Sequence, residues 1–238
     1  MTLPWVEPQD PLPPAQQARH SPEGLVAAGR DLSGTRLQEA YRKGLFPWYS
    51  AGQPVLWWSP DPRMVLFTEE FRLTRSLAKT LRKVRRGGRW QISLDTDFDA
   101  VMRECAAPRP DQDGTWITPL VRRAYGELHR QGMAHSIEVR EDGVLIGGLY
   151  GVSIGRMFFG ESMFTRKSDA SKCALAVLIH LLRQLQMPVI DCQQVTAHLS
   201  SMGGRPIRRT EFLERVDQLT QKTPPDWTAI APEFPTDA

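Results

Sequence analysis

The sequence predicts an α+β fold in which a small N-terminal domain precedes a larger one built on a mixed sheet. Three observations carry this. From Ser136 to Gln193 the chain reads as strand, strand, strand, helix, strand. From Phe46 to Arg63 it is aromatic and punctuated by proline. Between Arg72 and Arg89 lies an amphipathic helical pattern whose charged residues are all basic. The boundary falls near Pro62, with residues 1–62 as a small, loop-rich, aromatic domain and residues 63–238 as the larger domain, ending in a proline-rich tail.

Composition narrows the classes. The chain has 238 residues, 41% of them hydrophobic, enough for a proper core. No apolar run is long enough to span a membrane, and Met1-Thr2-Leu3-Pro4-Trp5 does not begin a signal peptide. Cys105, Cys173 and Cys192 are scattered, and His20, His129, His135, His180 and His198 lack metal-ligand spacing, so buried cytosolic thiols are expected and no metal site. The net charge of +3 does not mark a nucleic-acid binder, so any basic surface has to be local.

The elements follow in order. Residues 1–22, with Pro4, Pro8, Pro11, Pro13, Pro14 and Pro22, form an extended segment that wraps a surface. Ser33 caps a short helix stopped by Gly44. Trp57 and Trp58 divide evenly between a small aromatic core and a ligand surface, and Trp48, after Pro47 in a turn-like setting, suits a ligand-facing role. Thr74 opens the basic helix. Leu73, Leu77, Leu81 and Val84 make its buried face, while Arg75, Lys79, Arg82 and Arg86 recur on another. With Lys83 and Arg85 these bases are either a solvated face or a phosphate-binding stripe. Asp95-Thr96-Asp97-Phe98 starts another helix, ending around Cys105-Ala106, and the loop Ala107–Gly114 follows. Thr118 with Pro119 starts the next helix, placing Trp116 just before the cap as either core wall or pocket wall.

The segment from Ser136 is mostly core material. Its strands turn at Glu141-Asp142-Gly143 and near Gly155, a capped apolar helix runs from about Ser168 to Leu185, and Val189–Gln193 is a short buried strand. Glu161, Asp191 and Gln193 sit where apolar residues are expected. A buried carboxylate needs a partner, so these three mark candidate chemistry. On a regular strand Asp191 and Gln193 share a face and Ile190 points the other way. Such a pair can hold an amine through the carboxylate and polarise a carbonyl through the amide, or Asp191 can simply satisfy neighbouring donors. A helix over Thr196–Met202, an extended piece Arg205–Arg209, a helix capped by Thr210 and a surface-attached or disordered tail from Pro224 complete the chain.

This strand and helix order fits an acyltransferase (GNAT-like) sheet. The turn Thr165–Ser171 has no glycine, and it puts Asp169 where a coenzyme's phosphates would bind at the helix start, which argues against coenzyme A. The chain then resembles the bacterial leucyl/phenylalanyl-tRNA–protein transferases. The matching motifs are Gly44-Leu45-Phe46-Pro47-Trp48, Trp57-Trp58-Ser59-Pro60-Asp61-Pro62-Arg63, Gly114-Thr115-Trp116-Ile117-Thr118, His135-Ser136-Ile137-Glu138-Val139, Gly147-Gly148-Leu149-Tyr150-Gly151, Gly160-Glu161-Ser162-Met163-Phe164 and Ile190-Asp191-Cys192-Gln193, in that order over about Gly24 to Leu213.

The resemblance implies a cytoplasmic, monomeric enzyme that touches no membrane and uses no cofactor. It would take leucine or phenylalanine, and less well methionine, from aminoacyl-tRNA and join it to proteins with N-terminal Arg or Lys, marking them for N-end-rule degradation. It further implies that Trp48, Trp116, Phe158 and Ile190, with Leu149, Leu178 and Leu182, line the pocket for the transferred side chain, and that Glu161, Asp191 and Gln193 make its polar floor and catalytic group. The run Arg75, Lys79, Arg82, Lys83, Arg85 and Arg86 would hold the tRNA acceptor stem. Asp191 is expected to handle the acceptor's amine, Gln193 to orient the ester, and Glu161 to read the acceptor's positive side chain. The rival classes are an acetyl-CoA-dependent N-acetyltransferase and a non-catalytic RNA-binding module.

Overall fold

A computed structural model describes residues 2–108 and 115–235. The expected loop Ala107–Gly114 falls largely outside the described residues. In chain order the elements are β1 (Trp5–Val6), β2 (Leu25–Gly29), α1 (Gly34–Arg42), β3 (Phe46–Pro47), β4 (Val55–Trp58), β5 (Arg63–Phe67), α2 (Arg75–Gly87), β6 (Trp90–Leu94), α3 (Phe98–Ala106), α4 (Pro119–Arg130), β7 (Ala134–Glu141), β8 (Val144–Ile154), β9 (Met157–Thr165), α5 (Ala170–Gln184), β10 (Val189–Gln193), α6 (Ala197–Ser201), β11 (Arg205–Ile207) and α7 (Arg209–Thr220).

Local chemistry sets most helix starts. Ser33, Thr74, Asp97, Thr118 and Thr196 each accept a backbone N–H of the helix they open, which satisfies a donor that has no intrahelical partner. Gly44 ends the loop after α1 at φ +71, a conformation that favours glycine. Two expected features differ. Thr210 is not a cap: α7 begins at Arg209, and its N-cap, Arg208, makes no side-chain bond. Asp169 stands at the start of α5 without capping it, because its carboxylate is taken by Thr80 of α2 and by Lys172.

The N-terminal region is less loop-rich than its prolines suggest. A four-stranded sheet in the order β1-β2-β4-β3 organises it, with Trp57 buried opposite Ala27 and Pro47. The larger sheet runs β11-β5-β10-β9-β8-β7-β6. Its neighbours are antiparallel except β9 and β10, which α5 connects as a parallel crossover. The fold is thus a small N-terminal sheet followed by a larger mixed sheet. Strands β5 and β6, missed in the sequence, extend that sheet on either side of the predicted segment.

The large sheet is covered on both faces. One face, including Val65, Val152, Phe159 and Val189, packs with α1, α3, α4, α7 and the small sheet. The other, including Leu66, Leu149, Phe158 and Ile190, packs against α5. Gly147 makes that second contact possible, since a Cβ there would lie 2.5 Å from the Cβ of Ala170 in the first turn of α5. The tail is docked as far as it is described. Trp227 is 6% exposed, stacks on His135 at 4.1 Å and donates to Ser153 Oγ. No helix among the described residues is long and apolar enough to cross a membrane.

Candidate functional site

The site forms where β9 and β10 part. They pair through Ile190–Phe158 and Asp191–Phe159, after which β9 continues and β10 ends at Gln193. The register of β10 against β5 shifts between Asp191 and Gln193, and Gln193 takes φ +63. A left-handed glutamine is disfavoured by about 1–2 kcal/mol. Here it is held by its own N–H, which donates to Asp191 Oδ1 at 2.9 Å. The bulge breaks the simple alternation expected for this strand, so Asp191 and Gln193 serve different neighbours.

Asp191 faces Arg63 of β5. Arg63 Nε donates to Oδ1 at 2.8 Å and Nη2 to Oδ2 at 2.7 Å. The guanidinium lies against the rings of Phe46 and Phe212, at 4.7 and 4.4 Å, and donates to the carbonyl of Gly44. Both side chains are 0% exposed. A two-pronged ion pair of this kind meets the requirement that a buried charge be matched and hydrogen-bonded. Asp191 is therefore a buried anchor for Gln193 and does not line the cavity described below.

Gln193 Nε2 donates to Glu161 Oε1 at 3.0 Å. The hydroxyl of Tyr41, from α1, lies 2.7 Å from Oε1, and that of Tyr125, from α4, lies 2.9 Å from Oε2. Burial pushes the Glu161 carboxyl up to about 8; the two tyrosine bonds oppose it, Asp191 adds to it and Arg63 reduces it. Burial therefore favours the neutral form of this carboxyl group.

A cavity of about 890 Å³ opens over this pair. Trp48, Tyr49, Trp58 and Trp116 form its aromatic walls, while Glu161, Ser162, Cys192 and Gln193 lie along the sheet side. Among the described residues Glu161 is the only carboxyl group lining it. Trp48 is 44% exposed and meets Trp58 edge to face.

The sequence profile of the "Leucyl/phenylalanyl-tRNA protein transferase" family matches residues 65–217, and that of its N-terminal domain matches residues 30–61. The leucyl/phenylalanyl-tRNA–protein transferase of Bordetella petrii is 53% identical over 232 residues, 95% of this chain and 92% of that one. The one of Paraburkholderia xenovorans is 55% identical over 229 residues, 94% of each chain.

The chain belongs to the leucyl/phenylalanyl-tRNA–protein transferase family.

Membership makes it an aminoacyltransferase. Among solved structures, the GCN5-related N-acetyltransferase from Kribbella flavida is 10% identical and aligns with a TM-score of 0.34, over 71% of this chain and 58% of that one. The strand order described above, not this likeness, carries the fold.

In this transferase the predicted site residues divide. Trp48, Trp116, Glu161 and Gln193 come together at the cavity. Leu149, Phe158, Leu178, Leu182 and Ile190 do not line it. They are 5% exposed or less and pack together on the α5 face of the sheet, apart from the cavity. Cys192 joins the two regions, lining the cavity and packing against that closed cluster.

The bases of α2 lie elsewhere on the transferase. Leu77 and Leu81 seat the helix against Cys173 and Ala176 of α5. Arg75, Lys79, Arg82, Lys83, Arg85 and Arg86 are exposed, and none makes an ion pair among the described residues. Arg63, Tyr41 and Tyr125 were not foreseen as site residues. Arg63 carried a signal: like Asp191, it is a charge in an apolar strand, and two such charges invite pairing. Tyr41 and Tyr125 carried none, since an amphipathic helix buries a tyrosine as readily as any other large residue.

Proposed function

We propose that this transferase moves leucine or phenylalanine, and less well methionine, from aminoacyl-tRNA to the α-amine of proteins beginning with Arg or Lys, forming a peptide bond that marks them for N-end-rule degradation. It would do so in the cytoplasm, as a monomer of two domains, residues 1–62 and 63–238. The observation that carries the reading is the cavity itself: a carboxyl–carboxamide pair, Glu161 and Gln193, faces a space walled by Trp48 and Trp116. Family membership supports it, as do the bases of α2, which make no ion pair among the described residues.

The chemistry asks little beyond positioning. An aminoacyl ester is already activated. An N-terminal amine, with a pKa of about 7.7–8.0, is partly neutral at pH 7. Holding two reactants in line can supply up to about 7–11 kcal/mol. The carboxamide of Gln193, fixed by Glu161 on one side and by the Asp191 anchor on the other, orients the ester and the amine. Trp48 and Trp116 enclose the transferred side chain, backed by the closed cluster of Leu149, Phe158, Leu178, Leu182 and Ile190. Arg75, Lys79, Arg82, Lys83, Arg85 and Arg86 contact the phosphates of the acceptor stem, which position the substrate without specifying it.

The test is incubation with radiolabelled leucyl-tRNA and a peptide starting with Arg, beside the same peptide with acetyl-CoA. Label transferred to the peptide's N-terminus from tRNA alone supports the reading. Acetylation without aminoacyl transfer overturns it.

A further inference from the structure

At the cavity wall the carboxyl group of Glu161 meets the hydroxyls of Tyr41 and Tyr125 behind it in three mutual contacts. They measure 2.7 Å from Tyr41 to Oε1, 2.9 Å from Tyr125 to Oε2 and 2.5 Å between the two hydroxyls. Every hydrogen bond needs one proton. Two phenols bring two protons, and both tyrosines are 0% exposed, which leaves no room for a bridging donor from solvent. With Glu161 ionised, both protons are spent on the carboxylate, and the phenol oxygens confront each other lone pair to lone pair at 2.5 Å. With Glu161 protonated, three protons serve three contacts. Glu161 Oε2–H donates to Tyr125, Tyr125 to Tyr41, and Tyr41 to Oε1. Each member donates once and accepts within the ring, an arrangement in which the bonds polarise one another in the same sense. Gln193 Nε2 donates to Oε1 from outside it.

We propose that Glu161 stands protonated at neutral pH in a closed ring with Tyr41 and Tyr125, and that it supplies the proton taken by the leaving ribose oxygen. This rests on the aminoacyl-transfer reading above. The charged groups facing Glu161 agree with a neutral acid. Arg63 and Asp191 are already spent on each other, and the remaining neighbour, Tyr150 of β8, is a phenol that burial keeps protonated. Burial likewise holds the Tyr41 and Tyr125 phenols well above their ordinary range. In the reaction the acceptor's neutral amine places its lone pair on the ester carbonyl carbon. The bond from that carbon to the ribose oxygen breaks, and its electron pair goes to the oxygen, which takes the proton of Glu161 and becomes a hydroxyl. The amine nitrogen, now in the new peptide bond, gives its surplus proton to the Glu161 carboxylate, and the ring is restored. One proton has passed from amine to ribose. Tyr41 and Tyr125 act through Glu161 and are positioning residues.

Infrared difference spectroscopy on the full chain reads the proton directly. The folded wild type should show a carboxylic-acid carbonyl band at pH 7 that fades as pH rises through about 8 and is missing in Glu161→Gln. The rate of leucine transfer to an Arg-starting peptide should fall over the same range. The closed ring is what favours the protonated acid, so in a folded Tyr41→Phe, which opens it and removes the facing phenol oxygens, both the band and the falling limb should move together to lower pH. A folded wild type without the band at pH 7 overturns the ring. A band whose loss leaves transfer unchanged overturns the donor role. A band in a protein that transfers nothing from leucyl- or phenylalanyl-tRNA overturns the functional reading, and the donor role with it, while establishing the protonated ring.

Discussion

Arg63 holds both oxygens of Asp191, at 2.8 and 2.7 Å, in a position where neither side chain has any exposed surface. The pair joins β5 to β10 at the point where β10 bulges, and through the Gln193 N–H it sets the direction of the carboxamide that meets Glu161. The most buried charges beside the cavity thus position Gln193, and neither lines the cavity.

Removing either partner leaves the other charge buried and alone. Arg63→Met and Asp191→Asn should each cost about 3–5 kcal/mol of stability. The double variant Arg63→Met/Asp191→Asn should lose less than the sum of the two single changes, because no unpaired charge remains. Urea melts of the three proteins give the coupling directly, and additive losses would mean the two side chains act independently.

Glu161 predicts a pH dependence of stability. Its carboxyl lies near 8 in the folded chain and near 4.5 when unfolded, so between those values the folded state binds more protons. Its contribution is fully present below about pH 4.5 and is lost as pH rises through about 8. Glu161→Gln lacks this dependence. The melting temperature of the variant minus that of the wild type should grow steadily from pH 5 to pH 8 and level off beyond. A constant difference would place Glu161 in the ordinary carboxylate range.

Neutralising Arg82, Lys83 and Arg86 together should weaken binding to aminoacyl-tRNA and flatten its salt dependence. Each lost phosphate contact removes about 0.7–0.9 from the slope of log K against log salt. Leucyl- and phenylalanyl-tRNA should suffer alike. Binding isotherms across a salt series check this, and an unchanged slope would leave the six bases as a solvated face.

The cavity and the closed cluster should respond differently to truncation. Trp116→Ala removes a part-buried wall, so transfer of leucine and phenylalanine should drop with only a modest change in melting temperature. Leu182→Ala, at a site with no exposure, should cost about 2–5 kcal/mol of stability. Paired melting curves and transfer rates separate the two. Wild-type transfer in a folded Trp116→Ala would remove it from the wall.

Much of this protein is set by neighbours a few residues apart, and that part was legible in the sequence. Ser33, Thr74 and Thr118 cap their helices because a side-chain oxygen needs only the N–H three residues on. The alternation of Val189, Ile190 and Asp191 correctly placed Ile190 away from Asp191. Glu161 and Gln193 stood out because polar groups in an apolar strand are costly without partners. The identity of those partners was not legible. Arg63 meets Asp191 across 128 residues and Tyr41 meets Glu161 across 120, distances over which no periodicity connects two positions. The order β5-β10-β9 decided that Asp191 would be neutralised by an arginine and closed to solvent, and the packing of α1 and α4 on β9 decided that the Glu161 carboxyl would be buried, which pushes it up to about 8. A carboxyl group's charge is fixed by the dielectric and the donors around it, and only the closed sheet with its helices in place supplies both.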